Sequence, residues 1–263
     1  MNQHVINEIM KCRFYTIIFF LHFFQIVLSQ YSLVEYEKTI RVNENDKGDK
    51  EYSQILFKNE KLYGLKMPPI LNKKIEIDTV SANLVKRYGS VYFFENNEFY
   101  ETLWSPKPYF TLDELPDIAW VITDHKKNIL GYGCIEAKGK FRGRDYQVWF
   151  AQDIPVRYGP WKLNGLPGLI LEAETEDHFF HWMATKISLN FANQVNDAVG
   201  KYAEEMKNAA DLLPYKEFVP LRDAYYEEIE SRELANFSKG NIVSHEGGRN
   251  FALEKSFEWE ETK

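Results

Sequence analysis

The stretch from Val148 to Ala173, VWFAQDIPVRYGPWKLNGLPGLILEA, limits the fold more than any other part of the chain. It sets two strand-like apolar runs, Val148-Trp149-Phe150 and Leu169-Ile170-Leu171, around a loop carrying Pro155, Gly159, Pro160, Gly165, Pro167 and Gly168. Proline withholds a backbone donor and glycine eases unusual dihedrals, so the loop is not regular structure. Its apolar residues Ile154, Leu166 and Leu169 must then be held by tertiary packing. Two readings stay open. The loop plugs one open end of a half-barrel, its glycines permitting close backbone approach, or it forms the lip of an apolar cleft or a docking surface.

The flanking sequence alternates with the period of half-buried strands. Val34, Tyr36, Ile40 and Val42 recur at even spacing, and short strands follow at 54–58 and 61–65 around Asn59-Glu60. The runs 91–94 and 99–103 flank Asn96-Asn97, a pair that tolerates positive φ and so predicts a β-hairpin. After a proline-rich connection, Ile118, Trp120 and Ile122, then, beyond a charged turn from Thr123 to Asn128, 129–138, 146–150, and finally 169–173 with 179–189 around Glu176-Asp177 continue an antiparallel meander. The period then lengthens to 3.6 through Val195, Ala198, Val199, Tyr202, Met206, Ala209, Ala210 and Leu213, with Pro214 as the stop. A second helix is predicted from Pro220 to Ser231, burying Leu221, Tyr225 and Ile229. Phe251, Leu253, Phe257 and Trp259 read as a last strand. The expected fold is mainly β with an α+β element order. It is a curved antiparallel meander sheet or half-barrel with two C-terminal helices, in one domain over 30–263 with its helical segment near 194–231. The run from Tyr146 to Phe150 is apolar on both faces, so its second face needs a cover or a ligand.

Residues 10–29 combine Lys11 and Arg13 with an apolar run from Phe14 to Leu28, the pattern of a secretory leader over 1–29 cleaved after Ser29, with Met10 as an alternative start. The run is shorter than a membrane span and is interrupted by His22 and Gln25, so no stable span is expected after cleavage. No cysteine stands directly after the apolar run, which argues against a lipid-anchored terminus. Without Lys11, Arg13 and Glu8 the chain carries 30 basic against 38 acidic residues, a net charge of −8, which argues against nucleic acid. Cys12 leaves with the leader and Cys134 stays alone, so neither an internal disulfide nor a cysteine metal cluster is expected.

Trp120-Val121-Ile122, Ile129 to Cys134, Ala137, Phe141-Arg142-Gly143-Arg144 and then Trp149 to Leu171 resemble, in their order, the GLPGLI family of secreted bacterial proteins, named for the hexapeptide seen here as Gly165 to Ile170. Ile154-Pro155 and Gly159-Pro160 belong to the same string. The resemblance implies export into the envelope of a Gram-negative cell and a β-rich domain, and it lends no reaction. The helix from Val195 to Leu213 is longer than the usual connection in that family. In architecture the inferred sheet also resembles the lipoprotein-carrier fold, an unclosed barrel around helices with an apolar cavity, although fold does not imply function.

Candidate chemistry is sparse. Cys134 is the obvious nucleophile, with His125 and Arg142 or Arg144 as activators, yet its mid-strand position beside Tyr132 equally suits a small buried hydrophobe. His178 and His181 lie three apart on a strand and so point to opposite faces, which excludes a shared metal ion. Asp153 and Glu172 flank the central loop as a candidate carboxylate pair for glycoside chemistry. Arg142 and Arg144 alternate around Gly143 and could clamp a carboxylate or phosphate, or pair with Asp145, Glu136 or Asp153. Trp104, Trp120, Trp149, Trp161 and Trp182 read as core. Asp78-Thr79-Val80 resembles an envelope O-glycosylation acceptor, a pattern of little weight at three residues.

These readings converge on a non-enzymatic protein of the periplasm or cell envelope, without cofactor or metal, that binds an apolar or peptide ligand in the concave face of its sheet. Its binding residues would be Trp149, Ile154, Pro155, Gly159, Pro160, Gly165, Leu166, Pro167, Gly168, Leu169 and Ile170, with Arg142 and Arg144. A hydrolase using Cys134 or a carboxylate, and a structural partner of an outer-membrane assembly, are the alternatives. The last predicts an exposed apolar patch in place of a pocket.

Overall fold

A computed structural model describes residues 31–41, 46–58, 61–66, 90–104, 107–191, 198–236 and 249–260. The expected leader over 1–29, the Asp78-Thr79-Val80 triplet, Val42 and Val195 lie outside the described residues.

Eleven strands come first: β1 Tyr31–Ile40, β2 Asp49–Lys58, β3 Lys61–Lys66, β4 Ser90–Glu95, β5 Glu98–Trp104, β6 Pro108–Glu114, β7 Val121–Ile129, β8 Tyr132–Phe141, β9 Arg144–Ala151, β10 Leu169–Thr175 and β11 Phe180–Phe191. Helix α1, Ala198–Lys207, the two-residue β12, Leu213–Pro214, helix α2, Tyr215–Asn236, and a 3-10 turn at Arg249–Phe251 follow. The strands make one open sheet in the order β12-β6-β5-β4-β3-β2-β1-β11-β10-β9-β8-β7. It is two meanders, one from β1 to β6 and one from β7 to β11, joined where β11 pairs antiparallel with β1. The mainly β, meander-built fold with two helices near the C-terminus is as the alternation implies.

Three hairpin turns share one chemistry. Asn96-Asn97, Leu130-Gly131 and Arg142-Gly143 all hold positive φ, between 44° and 89°. This is the two-residue turn whose twist matches that of its strands.

The sheet is strongly curled. Residues 115–120 are all that link β6 to β7, and six residues reach at most roughly 25 Å. In a flat sheet ten strand steps would separate those strands by roughly 48 Å. The inner face gathers Val34, Tyr36, Ile55, Phe57, Tyr92, Phe94, Phe99, Val148 and Phe150. The loop after β9 fills it with Ile154, Tyr158, Trp161, Leu163 and Leu166. Tyr158 meets the Phe94 ring edge-on at 5.5 Å, and the Tyr36 hydroxyl donates to the Ile170 carbonyl at 2.6 Å. Tyr92 lies across Gly64, where a Cβ would collide with the ring. On the outer face, α1 lays Tyr202, Ala203 and Met206 over Leu33, Leu56, Tyr63, Leu65, Val91, Phe93 and Tyr100. The sheet is thus apolar on both faces of its first half, and each face has its own cover.

That filling corrects the expectation of a ligand in the concave face. The cavity that Lys38, Glu51, Lys66, Tyr92, Trp161 and Trp182 help to line measures about 20 Å3, room for about one water.

Five local expectations also change. The proline-rich stretch before Ile118, expected as a connection, carries strand β6. Strand β7 runs straight through 123–128, expected as a charged turn, and the reversal falls at Leu130-Gly131, inside the strand expected over 129–138. Helix α1 ends at Lys207, before Ala209, and Leu213 instead extends the sheet as β12, parallel to β6. Helix α2 begins at Tyr215, before the expected Pro220, because Tyr215, Phe218 and Val219 are its buried anchor. Beyond that anchor no residue from Pro220 to Arg232 is fully buried: Leu221 is 47% exposed and Tyr225 and Ile229 are half-buried, so the stripe expected to be buried is only partly covered. The segment 249–260 is a 3-10 turn and further turns where a strand was expected. Its Lys255 and Ser256 amides both donate to the Arg142 carbonyl, so it caps the β8–β9 turn and runs along no strand edge.

Candidate functional site

The hairpin turn at Arg142 aims a guanidinium, 1% exposed, across the mouth of the curled sheet. Both its terminal nitrogens bond Asp113 on β6, at 2.6 and 2.7 Å, and it also reaches Glu254 at 2.5 Å and Glu258 at 2.8 Å. Lys162, from the central loop and equally buried, donates to Asp113 at 2.7 Å and Glu254 at 2.9 Å while lying 3.8 Å from the Tyr215 ring centroid. An isolated buried charge is very costly, but here two cations face two buried anions with good hydrogen bonds. Burial alone would raise the carboxyl pKa of Asp113 and Glu254, yet Lys162 and Arg142 outweigh it and hold both below the ordinary range. Burial, then Glu254, pushes the Tyr215 phenol far up, and its hydroxyl hydrogen-bonds Glu254. Phe257 and Trp259 stack at 4.6 Å beside the Arg142 guanidinium. The cluster is closed and mutually satisfied, and what it does is clasp β6, the central loop and the C-terminal segment to one another.

Arg144 performs a parallel task. It bonds the backbone carbonyls of Ala252 and Asn250 at 2.8 Å each and pairs with Asp177. Both arginines therefore hold the 249–260 segment, and neither pairs with Asp145, Glu136 or Asp153, their expected partners. Arg142 sits in the turn itself, so the two arginines do not alternate along one strand.

Between α2 and the clasped segment lies an open cleft of about 570 Å3, lined by Phe180, Arg222, Asp223, Tyr226, Glu227, Glu230, Arg249, Ala252 and Leu253. Three of its lining residues form a charge sandwich. Asp223 takes Arg222 at 2.8 Å and Arg249 at 2.5 Å, and Arg249 also bonds Glu260 at 2.8 Å. Leu253 lines both this cleft and the small inner cavity, and so forms the partition between them.

The residues singled out from the sequence fall elsewhere. Ile154, Gly159, Pro160, Leu166, Gly168, Leu169 and Ile170 are buried against the inner face, Gly165 is half-buried, and Pro155 and Pro167 are exposed loop corners. Trp149 is on the outer face under the Lys127 ammonium, 4.3 Å from its ring centroid. Cys134 is 0% exposed, and burial pushes its thiol up to about 11. His125 hydrogen-bonds Glu136 at 2.8 Å and not the thiol. Asp153 is exposed, while Glu172 is engaged by Lys127 and by His181 at 3.1 Å. His178 stands in the turn before β11, at φ 59°, beside Glu174. Among the described residues no three His, Cys, Asp or Glu side chains come together as a metal site.

Sequence reading missed Asp113, Lys162, Glu254 and the whole cleft wall. The one available signal was Lys162 itself, a single charge in the apolar run Pro160 to Ile170.

With that geometry in hand, a family model described as N-glycanase peptide, N-terminal domain, matches residues 103–217. The chain is similar to that domain. The match includes Asp113, Arg142 and Lys162 and ends just inside α2. Among solved structures, PNGF-II in its C2 crystal form has a TM-score of 0.50 at 17% identity, over 75% of this chain and 34% of that one. The P21 form has a TM-score of 0.46 at 17% identity, over 68% and 34%. The MucA/MucB complex of Pseudomonas aeruginosa has 0.35 at 9%, over 66% and 56%. No curated protein matches the sequence. The chain spans about a third of the length of PNGF-II, and identity this low makes the likeness one of fold. Among the described residues no helix is long and apolar enough to cross a membrane.

Proposed function

We propose that this chain is an exported, non-enzymatic binding or accessory protein of a Gram-negative cell envelope, a member of the GLPGLI family, that docks a peptide in the cleft between α2 and the C-terminal segment. The cleft carries the reading. It offers about 570 Å3 beside an exposed aromatic and several polar side chains, within the usual size of a ligand site. The inner cavity of about 20 Å3 admits no such ligand. The reaction candidates give no support to a hydrolase: the thiol is buried and its pKa raised, and Glu172 is held by Lys127 and His181.

The family match favours one refinement. The matching domain is named for an N-glycanase, so a peptide carrying an N-linked glycan is the first ligand chemistry to compare with a bare one. Hydrogen exchange on the purified protein, with and without such peptides, tests the proposal. Slower exchange in 220–232 and 249–254, with no glycan released and no peptide cut, is the expected result. Turnover of the glycopeptide, or protection confined to the sheet, overturns it.

A further inference from the structure

We infer that the rim cleft selects a cationic peptide segment, one presenting lysine or arginine next to an apolar side chain; this rests on the cleft being the binding site. Three observations converge on that chemistry. The cations that line the cleft are already committed, because Arg222 and Arg249 both hold Asp223, and Arg249 holds Glu260 as well. Glu227 and Glu230 on the α2 wall, in contrast, have no cation within ion-pair distance among the described residues. The same cleft is lined by Tyr226, 56% exposed, and by the apolar Phe180, Ala252 and Leu253.

Each part restricts the occupant. The open carboxylates repel an anionic ligand and attract a cationic one, and the chain's net charge of −7 adds longer-range steering of the same sign. Tyr226 and Leu253 give an aliphatic side chain or a lysine stem somewhere to pack.

The test uses a fluorescein-labelled peptide of alternating lysine and leucine, with serine-for-lysine and glutamate-for-lysine counterparts, read by fluorescence anisotropy at physiological salt. The lysine peptide binds the wild-type protein more tightly than either counterpart. Against Glu227→Gln with Glu230→Gln its affinity falls about tenfold. Against Asp117→Asn with Asp124→Asn, two exposed carboxylates outside the cleft, it is unchanged. Equal weakening by both pairs makes the attraction general acidity and overturns the inference. Tighter binding of the serine peptide, lost on Tyr226→Ala, overturns the selectivity and leaves the docking reading standing. If none of the three peptides binds, both readings fall together.

Discussion

Arg142, in the turn that ends β8, holds both carboxylate oxygens of Asp113 on β6, although eight strands lie between β6 and β8 in the sheet. On a flat sheet they would stand roughly 43 Å apart. The pair is therefore both a consequence of the curl and a lock on it. Lys162 and Glu254 complete the lock, tying the central loop and the C-terminal segment to the same point.

Removing Arg142 strands two buried carboxylates that lose part of their compensation. Arg142→Met lowers stability by roughly 3–5 kcal/mol, the usual effect of breaking one side of a buried pair. Urea unfolding followed by tryptophan fluorescence measures it. A loss below about 1 kcal/mol would equate the cluster with an ordinary surface pair.

Acid should undo the lock. Asp113 and Glu254 have folded pKa values depressed below the ordinary range, because Lys162 and Arg142 outweigh the opposing effect of burial. A depressed folded value means that the stabilisation is complete above the unfolded pKa, roughly 4, and is lost as pH falls through the folded values. Melting temperature should hold from neutral pH to about pH 5 and drop steeply below about pH 4. In Asp113→Asn that drop should be shallower, measured from a lower starting point.

Cys134 should be silent to thiol reagents in the native protein. It is fully buried and its thiol is pushed up to about 11. A disulfide reagent at pH 8 titrates one thiol of the chain lacking residues 1–29 in denaturant and none without it. Rapid native labelling would return the thiol to the list of reactive groups.

Glycines of the same turn-rich region should differ sharply in tolerance. A Cβ at Gly168 would drive into the backbone carbonyl of Ala151, which has nowhere to move, whereas one at Gly131 meets nothing within 4 Å. Gly168→Ala is expected to cost about 1–3 kcal/mol through overpacking. Gly131→Ala costs about 1 kcal/mol, from its φ of +89° alone. Paired denaturant titrations compare them, and equal losses would mean that the loop around Gly168 relaxes.

Most strands were legible because alternation is a local signal; β6 and the second half of β7, in proline-rich and charged stretches, were not. Val34 with Tyr36, and Asn96-Asn97 between two aromatic runs, needed no distant partner to be read. The C-terminal segment misled for the same reason. Phe251, Leu253, Phe257 and Trp259 alternate like a strand, but Arg142 captures the backbone at Lys255 and Ser256 and Glu254 turns inward to Lys162. Leu221, Tyr225 and Ile229 have helical spacing, and spacing cannot say whether anything lies opposite them.

What the amino-acid order determined by itself was the period of most strands, the Asn96-Asn97 hairpin turn, and a central loop too rich in proline and glycine to be regular. Those follow from backbone sterics and from side-chain alternation within a few residues. Only the tertiary structure decided that the loop fills the inner face, that Arg142 meets Asp113, and that the open cleft lies on the rim beside α2. Each of these depends on how far the sheet curls, and curl is the summed twist of twelve strands together with the ion pairs that close it, a quantity no short stretch of the chain contains.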